Sequence, residues 1–372
     1  MFLKKLSILN YKNIAEARLA LADGVNCLIG NNGQGKTNVL DAIYCLSVCR
    51  SFTGGGEASL IRHGEQYVML QAEYERRDAT EEVTFSLQRG GRKVVRRGGK
   101  EYKRLSQHIG LLPVVMVSPM DIDLIRGAGD ERRRLMDMII SQGDKEYLDA
   151  LIRYNKALEQ RNSMLRHEFR DPLLYESVEA IMDATAALVH RRRSQWIERF
   201  TPIFMRFYNA IAGEGEKVAL SYRSHLNDAT LPALLNASRE RDLALGYTSR
   251  GVQRDDIELQ LDGYSMRRTG SQGQCKTYTI ALRLAQYEFL RMNNPTTPIL
   301  LLDDIFDKLD ATRVERIIKV VTESRDFGQI FVTDTNRTHI DTILAGASGN
   351  HALWHVEQGV VTPVTTYSGQ QR

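Results

Sequence analysis

Gly30-Asn31-Asn32-Gly33-Gln34-Gly35-Lys36-Thr37 is the stretch that decides the fold, because it fits the pattern G-x-x-x-x-G-K-[ST] at every fixed position. The apolar residues 25–29 come directly before it and predict a strand, and apolar residues from 39 to 46 follow with helical spacing. A strand that runs through glycines into a helix is the setting of a phosphate-binding loop. A chance match in such a chain has odds of roughly one in a hundred, which disfavours the alternative of a glycine-rich turn with a surface lysine.

Each part of this loop has a role in binding the phosphates of ATP. The glycines let successive backbone N–H groups point at phosphate oxygens, and the helix that begins near Lys36 adds its partial positive charge. We expect the whole stretch Gly30–Thr37 to bind ATP, with the Lys36 ammonium acting as a catalytic charge on the β- and γ-phosphates. The Thr37 hydroxyl is expected to ligate Mg²⁺.

A second element, required to hold the metal, lies far away in the sequence. The apolar run 299–302 ends in Asp303 and Asp304. We expect Asp303 to hold Mg²⁺ through water and Asp304 to orient or deprotonate the attacking water, so both are predicted to be catalytic. Taken alone, the two carboxylates could also cap a helix that begins at Ile305.

Ser271-Gln272-Gly273-Gln274 lies 32 residues before Asp303 (303 − 271) and begins a long predicted helix. It resembles the signature of ABC-type ATPases, in which a serine and a glycine at a helix N-terminus bind a γ-phosphate. The alternative is an ordinary serine N-cap. The resemblance implies that Ser271, Gly273 and Gln274 bind the ATP held by a second copy of the chain, in a head-to-tail dimer.

Two further positions match elements of the same ATPases. Asp310, in Lys308-Leu309-Asp310, matches the D-loop that follows the acidic strand. Thr333 is expected to take the polar role at the switch position after the last strand. Asp334 stays unassigned, because a carboxylate beside a γ-phosphate is repulsive unless a metal or an arginine intervenes.

The order of the predicted elements indicates an α/β fold of two lobes. The apolar, non-alternating runs at 25–29 and 299–302 predict a parallel sheet covered on both faces. Residues from about 66 to 117 alternate like antiparallel strands with a hairpin at Gly90-Gly91, and residues from about 130 to 212 form long helices with breaks at Pro172 and Pro202. We therefore expect an ABC-type ATPase head, a phosphate-loop sheet lobe with antiparallel strands, formed by residues 1–118 and 245–372. An inserted, mainly helical lobe is expected over residues 119–244.

Several motifs resemble those of the RecF family of bacterial recombination and gap-repair proteins. These are Leu9-Asn10-Tyr11-Lys12-Asn13, Arg50-Ser51-Phe52, the segments 119–127 and 130–137, and Arg254-Asp255-Asp256-Ile257. The likeness extends from residue 1 to about 340. It implies a protein that binds DNA as an ATP-dependent homodimer, cooperates with RecR and RecO to load RecA at gaps, and hydrolyses ATP slowly as a DNA-stimulated switch.

Basic residues concentrate between positions 89 and 104, where eight lysines and arginines accompany a single acid, Glu101. We expect this hairpin to contact DNA phosphates, and the candidates are Arg92, Lys93, Arg96, Arg97 and Lys100. Residues 132–134 and 191–193 are further arginine clusters. Each cluster could instead be a solvated charged face or pack against the protein. Since no base-reading motif is present, binding directed by DNA structure or backbone, at gaps or junctions, is expected.

Composition and apolar patterning restrict the cellular setting. The net charge of +4 and the pI of 8.8 are compatible with nucleic acid. The apolar runs are far shorter than the roughly 20 residues of a membrane span, and the N-terminus lacks a signal-like stretch. The sequence therefore predicts a cytoplasmic, nucleoid-associated protein with no membrane partner.

Two other interpretations share the nucleotide motifs. An ATPase subunit of a membrane transporter would have its phosphate loop and Asp-Asp strand closer together than the 267 residues found here (303 − 36). An SMC-like chromosome-organising head would need a long coiled coil where this chain has a modest helical lobe.

Overall fold

The computed structural model describes residues 1–76, 79–169, 171–307, 309–323, 326–346 and 349–364. Contacts between residues divide the chain into two compact units. The first, called here the sheet unit, contains Met1–Asp121, Phe207–Gly213 and Gln272–Arg372. The second, called the helical unit, contains Ile122–Arg206 and Glu214–Ser271.

The strands and helices are numbered in chain order. The strands are β1 (Phe2–Tyr11), β2 (Ile14–Ala20), β3 (Val25–Ile29), β4 (Tyr67–Arg76), β5 (Ala79–Gln88), β6 (Lys93–Arg97), β7 (Lys100–Glu101), β8 (Val114–Val117), β9 (Val218–Arg223), β10 (Asp256–Leu261), β11 (Tyr264–Ser265), β12 (Ile299–Asp303), β13 (Ile330–Asp334), β14 (His351–Glu357) and β15 (Val360–Pro363). The helices are α1 (Lys36–Val48), α2 (Asp123–Arg126), α3 (Gly129–Gly143), α4 (Lys145–Arg166), α5 (Pro172–Ala212), α6 (Leu231–Ala237), α7 (Arg239–Leu245), α8 (Met266–Thr269), α9 (Gln272–Asn293), α10 (Ala311–Glu323) and α11 (Arg337–Gly346).

The first sheet of the sheet unit is antiparallel and has the strand order β2-β1-β4-β5-β6-β7. Buried and more exposed side chains alternate along its strands, because one face of the sheet is buried. In β5, for example, Val83, Phe85 and Leu87 are at most 3% exposed. The predicted hairpin is confirmed, since β5 and β6 pair directly and the turn contains Gly90 with a φ of 72°.

The second sheet of this unit places strands from distant parts of the chain side by side. Its order is β15-β14-β3-β13-β12-β8, and β14, β3, β13, β12 and β8 run parallel. Every residue of β12 and β13 is buried, as expected for a parallel sheet covered on both faces. Because parallel strands end at the same edge, the residues after β3, β12 and β13 are brought together there.

The helical unit contains α2–α4, α6–α8, most of α5 and the antiparallel sheet β11-β10-β9. Buried arginines tie its elements together. Arg193 is 2% exposed and pairs with Asp255 at 2.6 Å and Asp137 at 2.8 Å. Arg161 is fully buried and pairs with Asp242 at 2.8 Å. Each charge is matched by a carboxylate, the condition under which burying it is tolerable.

Three expectations from the sequence are wrong in detail. The strand at 114–117, grouped with the antiparallel strands, instead pairs in parallel with β12. Residues 245–271, assigned to the ATPase lobe, belong to the helical unit, where β10 pairs antiparallel with β9. Pro172 does begin a helix, but Pro202 lies inside α5. Buried Phe200 and Phe204 on either side of Pro202 offset its cost of about 3 kcal/mol, since each buried ring contributes about 1.5–3 kcal/mol.

Candidate nucleotide site

The loop Gly30–Gly35 joins β3 to α1, as predicted, and it lies at the carboxyl edge of the parallel sheet. Two of its glycines have positive φ, 79° at Gly33 and 113° at Gly35, which the curled backbone requires. Gly30 is needed for a different reason, because a Cβ there would lie 2.2 Å from the carbonyl oxygen of Val356 in β14. The local sequence and the neighbouring strand therefore shape the loop together.

Residues outside the motif hold the loop in place. The Gln34 carbonyl oxygen accepts hydrogen bonds from the Gly359 N–H at 2.8 Å and from Asn13 Nδ2 at 3.1 Å. Gln34 Oε1 accepts from the Gln358 N–H at 2.7 Å. Asn13 belongs to one of the sequence motifs, but sequence reasoning assigned it no role. The loop is thus fixed from the β1–β2 turn and from the β14–β15 turn.

The Lys36 side chain is 5% exposed and its ammonium lies against the loop. Its Nζ donates to the carbonyl oxygens of Gly30 at 2.7 Å and Asn31 at 3.1 Å. Burying an ammonium group costs little only where hydrogen-bond acceptors surround it. Phosphate oxygens would give the same ammonium stronger, charge-assisted hydrogen bonds.

Asp303, 4% exposed at the end of β12, is the centre of a hydroxyl–carboxylate group. Thr37 Oγ1 donates to its two oxygens at 2.9 and 3.0 Å, and Thr333 Oγ1 donates to Oδ1 at 2.8 Å. Burial raises the pKa of the Asp303 carboxyl above its ordinary value, and the two hydroxyls partly oppose that rise. The structure thus brings together Lys36, Thr37, Asp303 and Thr333, which the sequence had marked separately.

Asp304 follows directly and has a left-handed backbone conformation, with φ of 50°. The Asp304 N–H donates a hydrogen bond to Thr333 Oγ1 at 3.1 Å. Burial raises the pKa of the Asp304 carboxyl, while the charge of Lys36 opposes the rise. A strained non-glycine residue beside a phosphate loop is a pattern of functional sites, and a raised pKa suits a proton acceptor.

The signature and D-loop residues form a second group at the start of α9. A Cβ on Gly273 would lie 2.7 Å from Nη1 of Arg313, and Arg313 pairs with Asp310 at 3.5 Å. Asp310 also caps α10, because its Oδ1 accepts the Arg313 N–H at 2.9 Å. Ser271 directly precedes α9, and Gln274 follows Gly273 in its first turn. Lys308 of the predicted D-loop lies outside the described residues.

Asp334, the residue left unassigned, is engaged by its own neighbours. Nδ1 of His339 donates to Oδ2 of Asp334 at 2.7 Å, and the Asn336 N–H donates to Oδ1 at 2.8 Å. The His339 ring packs edge-on against Phe306, with centroids 5.3 Å apart. Sequence reasoning missed His339, and the available signal was its position in the helix that follows β13.

A buried carboxylate on α1 was also missed. Asp41 is fully buried and accepts from Tyr11 Oη at 2.8 Å and from Ser51 Oγ at 2.7 Å, while Lys12 Nζ lies 2.5 Å away. The Phe52 N–H donates to it at 2.6 Å. This group explains why the separate motifs 9–13 and 50–52 occur together, since both serve one buried charge.

Three of the five candidate DNA-binding side chains in the basic hairpin already form ion pairs with acidic residues. Arg92 pairs with Glu101 at 2.9 Å, Lys93 with Glu57 at 2.8 Å, and Arg97 with Glu81 at 2.6 Å. Arg96 and Lys100 are exposed and have no acidic partner within the described ranges. These two are the DNA candidates with a charge still available.

The two other arginine clusters are largely structural. Arg132 makes a two-point pair with Asp256, at 2.6 and 2.8 Å, and Arg133 donates to the Asp255 carbonyl oxygen at 2.7 Å. Arg192 pairs with Asp144 at 2.8 Å, beside the buried Arg193. The motifs 130–137 and 254–257 therefore fasten α3 to β10 inside the helical unit.

A divalent cation suits the donors gathered at Asp303. Hydroxyl and carboxylate oxygens are the ligands Mg²⁺ prefers, and it typically takes one or two of them besides water and phosphate. In the described ranges, no three His, Cys, Asp or Glu residues form a group able to hold a metal by themselves. The same ranges contain no helix long and apolar enough to traverse a bilayer.

Comparisons with known proteins find similarity along almost the whole chain. A sequence model of the RecF/RecN/SMC N-terminal domain matches residues 2–362. The DNA replication and repair protein RecF of Parabacteroides distasonis is 52% identical over 364 residues, covering 98% of this chain and 100% of that one. The same-named protein of Bacteroides thetaiotaomicron is 49% identical over 363 residues, covering 97% and 98%.

Solved structures support the same assignment. A structure of the recombination mediator protein RecF-ATP in the RecFOR pathway superposes with a TM-score of 0.87 at 28% identity, over 98% of both chains. An Smc head domain from Pyrococcus furiosus, at 18% identity and a TM-score of 0.59 over 98% and 96% of the chains, shares the fold alone. The fold is that of an ABC-type ATPase head, and the chain belongs to the RecF family of DNA replication and repair proteins.

Proposed function

We propose that this chain is an ATP-gated DNA clamp of recombinational gap repair. ATP drives two copies into a head-to-tail dimer that closes on DNA and helps RecR and RecO to load RecA. Slow, DNA-stimulated hydrolysis then resets the switch. The observation that carries the proposal is the group of Lys36, Thr37, Asp303 and Thr333 at one edge of the parallel sheet.

This group has the chemistry needed to hold Mg²⁺-ATP. The N–H groups of the loop and the Lys36 ammonium bind the phosphates. Thr37 and Asp303 would hold Mg²⁺, which would supply positive charge beside the phosphate oxygens. Asp304, with its raised pKa, accepts a proton from the attacking water or orients it. RecF structures with ATP, from relatives of this chain, support ATP as the nucleotide.

The second group of residues supports the proposed dimer. Ser271, Gly273 and Gln274 stand at the start of α9, where N–H groups and the helix dipole attract an anion. The anion is the γ-phosphate of ATP bound to the other copy. Two identical sites then form across one symmetric interface, and removing the γ-phosphate by hydrolysis releases both.

DNA binding is assigned to phosphate contacts, since no base-reading motif is present. Arg96 and Lys100 on the β6–β7 hairpin are the leading contacts, and Arg92, Lys93 and Arg97 can join them by exchanging acidic partners for phosphate. A preference for gapped over continuous duplex DNA is expected of a gap-repair protein. The alternatives, a transporter subunit or an SMC-like head, are not favoured by relatives about 50% identical that are named RecF.

Light scattering with and without ATP tests the clamp. We expect the wild-type chain to double its mass with ATP, and Ser271→Arg to stay monomeric while still binding ATP. Thr80→Arg, which adds the same charge at an exposed position of β5, should dimerise normally. A wild-type chain that stays monomeric with ATP and gapped DNA would refute the proposal.

A further inference from the structure

The helical unit contains a groove that the proposed function does not use. Its volume is about 1080 Å³, and it is lined by the start of α5, by α6 and α7, and by the segment that follows α4. That volume exceeds the range of roughly 300–1,000 Å³ typical of small-molecule sites. All of its lining residues lie within the helical unit.

The floor of the groove contains Glu179 and Arg239, which belong to a network of paired charges that continues into the buried residues Arg161 and Asp242. Glu179 joins Arg161 at 2.8 Å and Arg239 at 2.9 Å, and Arg161 joins Asp242. The Arg239 guanidinium also stacks on the Tyr175 ring, 4.7 Å from its centroid. These four charges cancel, so the floor is rigid and electrically neutral.

The rim of the groove is acidic. Glu168, Glu176, Asp183 and Glu240 line it, and none has an ion-pair partner in the part of the chain that the structure describes. Glu176 and Asp183 lie seven residues apart on α5 and therefore on one face. Unlike the floor, the rim has no balancing cation among the residues that the structure describes.

Apolar and unpartnered polar groups complete the surface. Phe169 lines the groove and is 52% exposed, and Leu173, which follows the lining residue Pro172, is 74% exposed. The Tyr175 hydroxyl is buried at the groove and has no hydrogen-bond partner among the described residues. Exposed aromatic surface with an unused hydroxyl is characteristic of a protein-binding surface.

We propose that this groove docks a basic amphipathic helix of a partner protein. Apolar side chains of that helix pack on Phe169 and its neighbours, and its lysines and arginines meet the carboxylates of the rim. Nucleic acid is disfavoured, because its phosphates would face four carboxylates that have no cationic partner within the described ranges. DNA and the protein partner therefore bind different surfaces of the chain.

The test uses a fluorescein-labelled synthetic peptide of about 16 residues, with leucines at helical spacing and lysines and arginines elsewhere. Anisotropy is recorded without nucleotide and without DNA, so failure of the ATP clamp would not affect the outcome. We expect saturable binding that Glu176→Lys/Asp183→Lys weakens by about 10-fold or more. Phe169→Ala should weaken it by about 5-fold without unfolding the chain, since the ring is exposed.

Two controls make the result decisive. Glu198→Lys reverses an exposed charge further along α5, about 22 Å from Asp183 at 1.5 Å per residue, and should change affinity by less than about 2-fold. A scrambled peptide of equal composition should bind weakly. Equal loss in Glu198→Lys, or equal binding of the scrambled peptide, would show charge attraction alone and overturn the proposal. Nucleotide-free self-association that Glu176→Lys/Asp183→Lys abolishes would also overturn it, by making a second copy the occupant.

Discussion

The Thr37 hydroxyl donates to both carboxylate oxygens of Asp303, at 2.9 and 3.0 Å, although 266 positions separate the two residues. The parallel sheet makes this possible, since only β13 lies between β3 and β12. The nucleotide site is therefore assembled from strand ends of remote sequence origin. Nucleotide binding and hydrolysis should therefore change when either Thr37 or Asp303 is substituted.

Replacing Lys36 with methionine should reduce ATP affinity by about 100-fold or more, because a charge-assisted contact to two phosphates is lost. Asp304→Asn should bind ATP normally and prolong the ATP-bound dimer, since only the proton acceptor is removed. Calorimetric titration with ATP measures the first effect, and the lifetime of the dimer measures the second. Undiminished binding in Lys36→Met would contradict the site assignment.

Asp303→Asn should stabilise the nucleotide-free chain at neutral pH while abolishing hydrolysis. Burial raises the pKa of Asp303, so between about pH 4 and that raised value the folded chain binds more protons than the unfolded chain. Its contribution to the free energy of unfolding therefore falls as the pH rises through this window. Asparagine removes the buried charge.

The measurable result is a melting temperature higher by about 2 °C at pH 7, shrinking as the pH approaches 4. Differential scanning fluorimetry at both pH values checks it. Glu198→Gln, at an exposed position, should show no such dependence. A lower melting temperature of Asp303→Asn at pH 7 would mean that the Thr37 and Thr333 hydrogen bonds outweigh the cost of burial.

Arg193→Ala should destabilise the helical unit by about 3–5 kcal/mol, because it leaves Asp137 and Asp255 without their shared partner. Arg192→Ala, at the adjacent position, removes a partly exposed pair and should cost less than about 1 kcal/mol. Urea denaturation followed by circular dichroism compares the two. Similar losses in both variants would contradict the structural role assigned to Arg193.

Removing Arg96 and Lys100 together, by alanine, should weaken DNA binding and flatten its salt dependence. Each lost phosphate contact lowers the slope of log affinity against log salt by about one, so a change of about two is expected. Lys4→Ala/Arg18→Ala removes the same charge from β1 and β2 and serves as the control. An unchanged slope in Arg96→Ala/Lys100→Ala would place the DNA elsewhere.

Much of the site was predictable because its determinants are local. The motif Gly30–Thr37 fixes loop and helix through glycine conformations and one helix terminus, and the apolar run before Asp303 marks a buried strand whatever its neighbours. Strand partners were not predictable in the same way. The pairing of β10 with β9, which moved residues 245–271 to the helical unit, depends on contacts between distant segments.

Other errors share a physical origin. Pro202 was expected to end a helix because propensity is a local quantity, whereas the burial of Phe200 and Phe204 is tertiary and outweighs it. The basic hairpin looked unbalanced because Glu57 and Glu81, which neutralise Lys93 and Arg97, lie outside it in sequence. The burial of Asp41 could not be predicted, since nothing in the local sequence distinguishes a buried acid on a helix from an exposed one.

The contact between Gly30 and the Val356 carbonyl has a consequence for biosynthesis. Strand β3 emerges early from the ribosome, but both strands that flank it, β13 and β14, are translated near the end. A nascent chain therefore contains the phosphate-binding motif before the two neighbouring strands that shape it have been made. We therefore expect the complete site to form only after translation has passed Gly359, whose N–H donates to the Gln34 carbonyl oxygen.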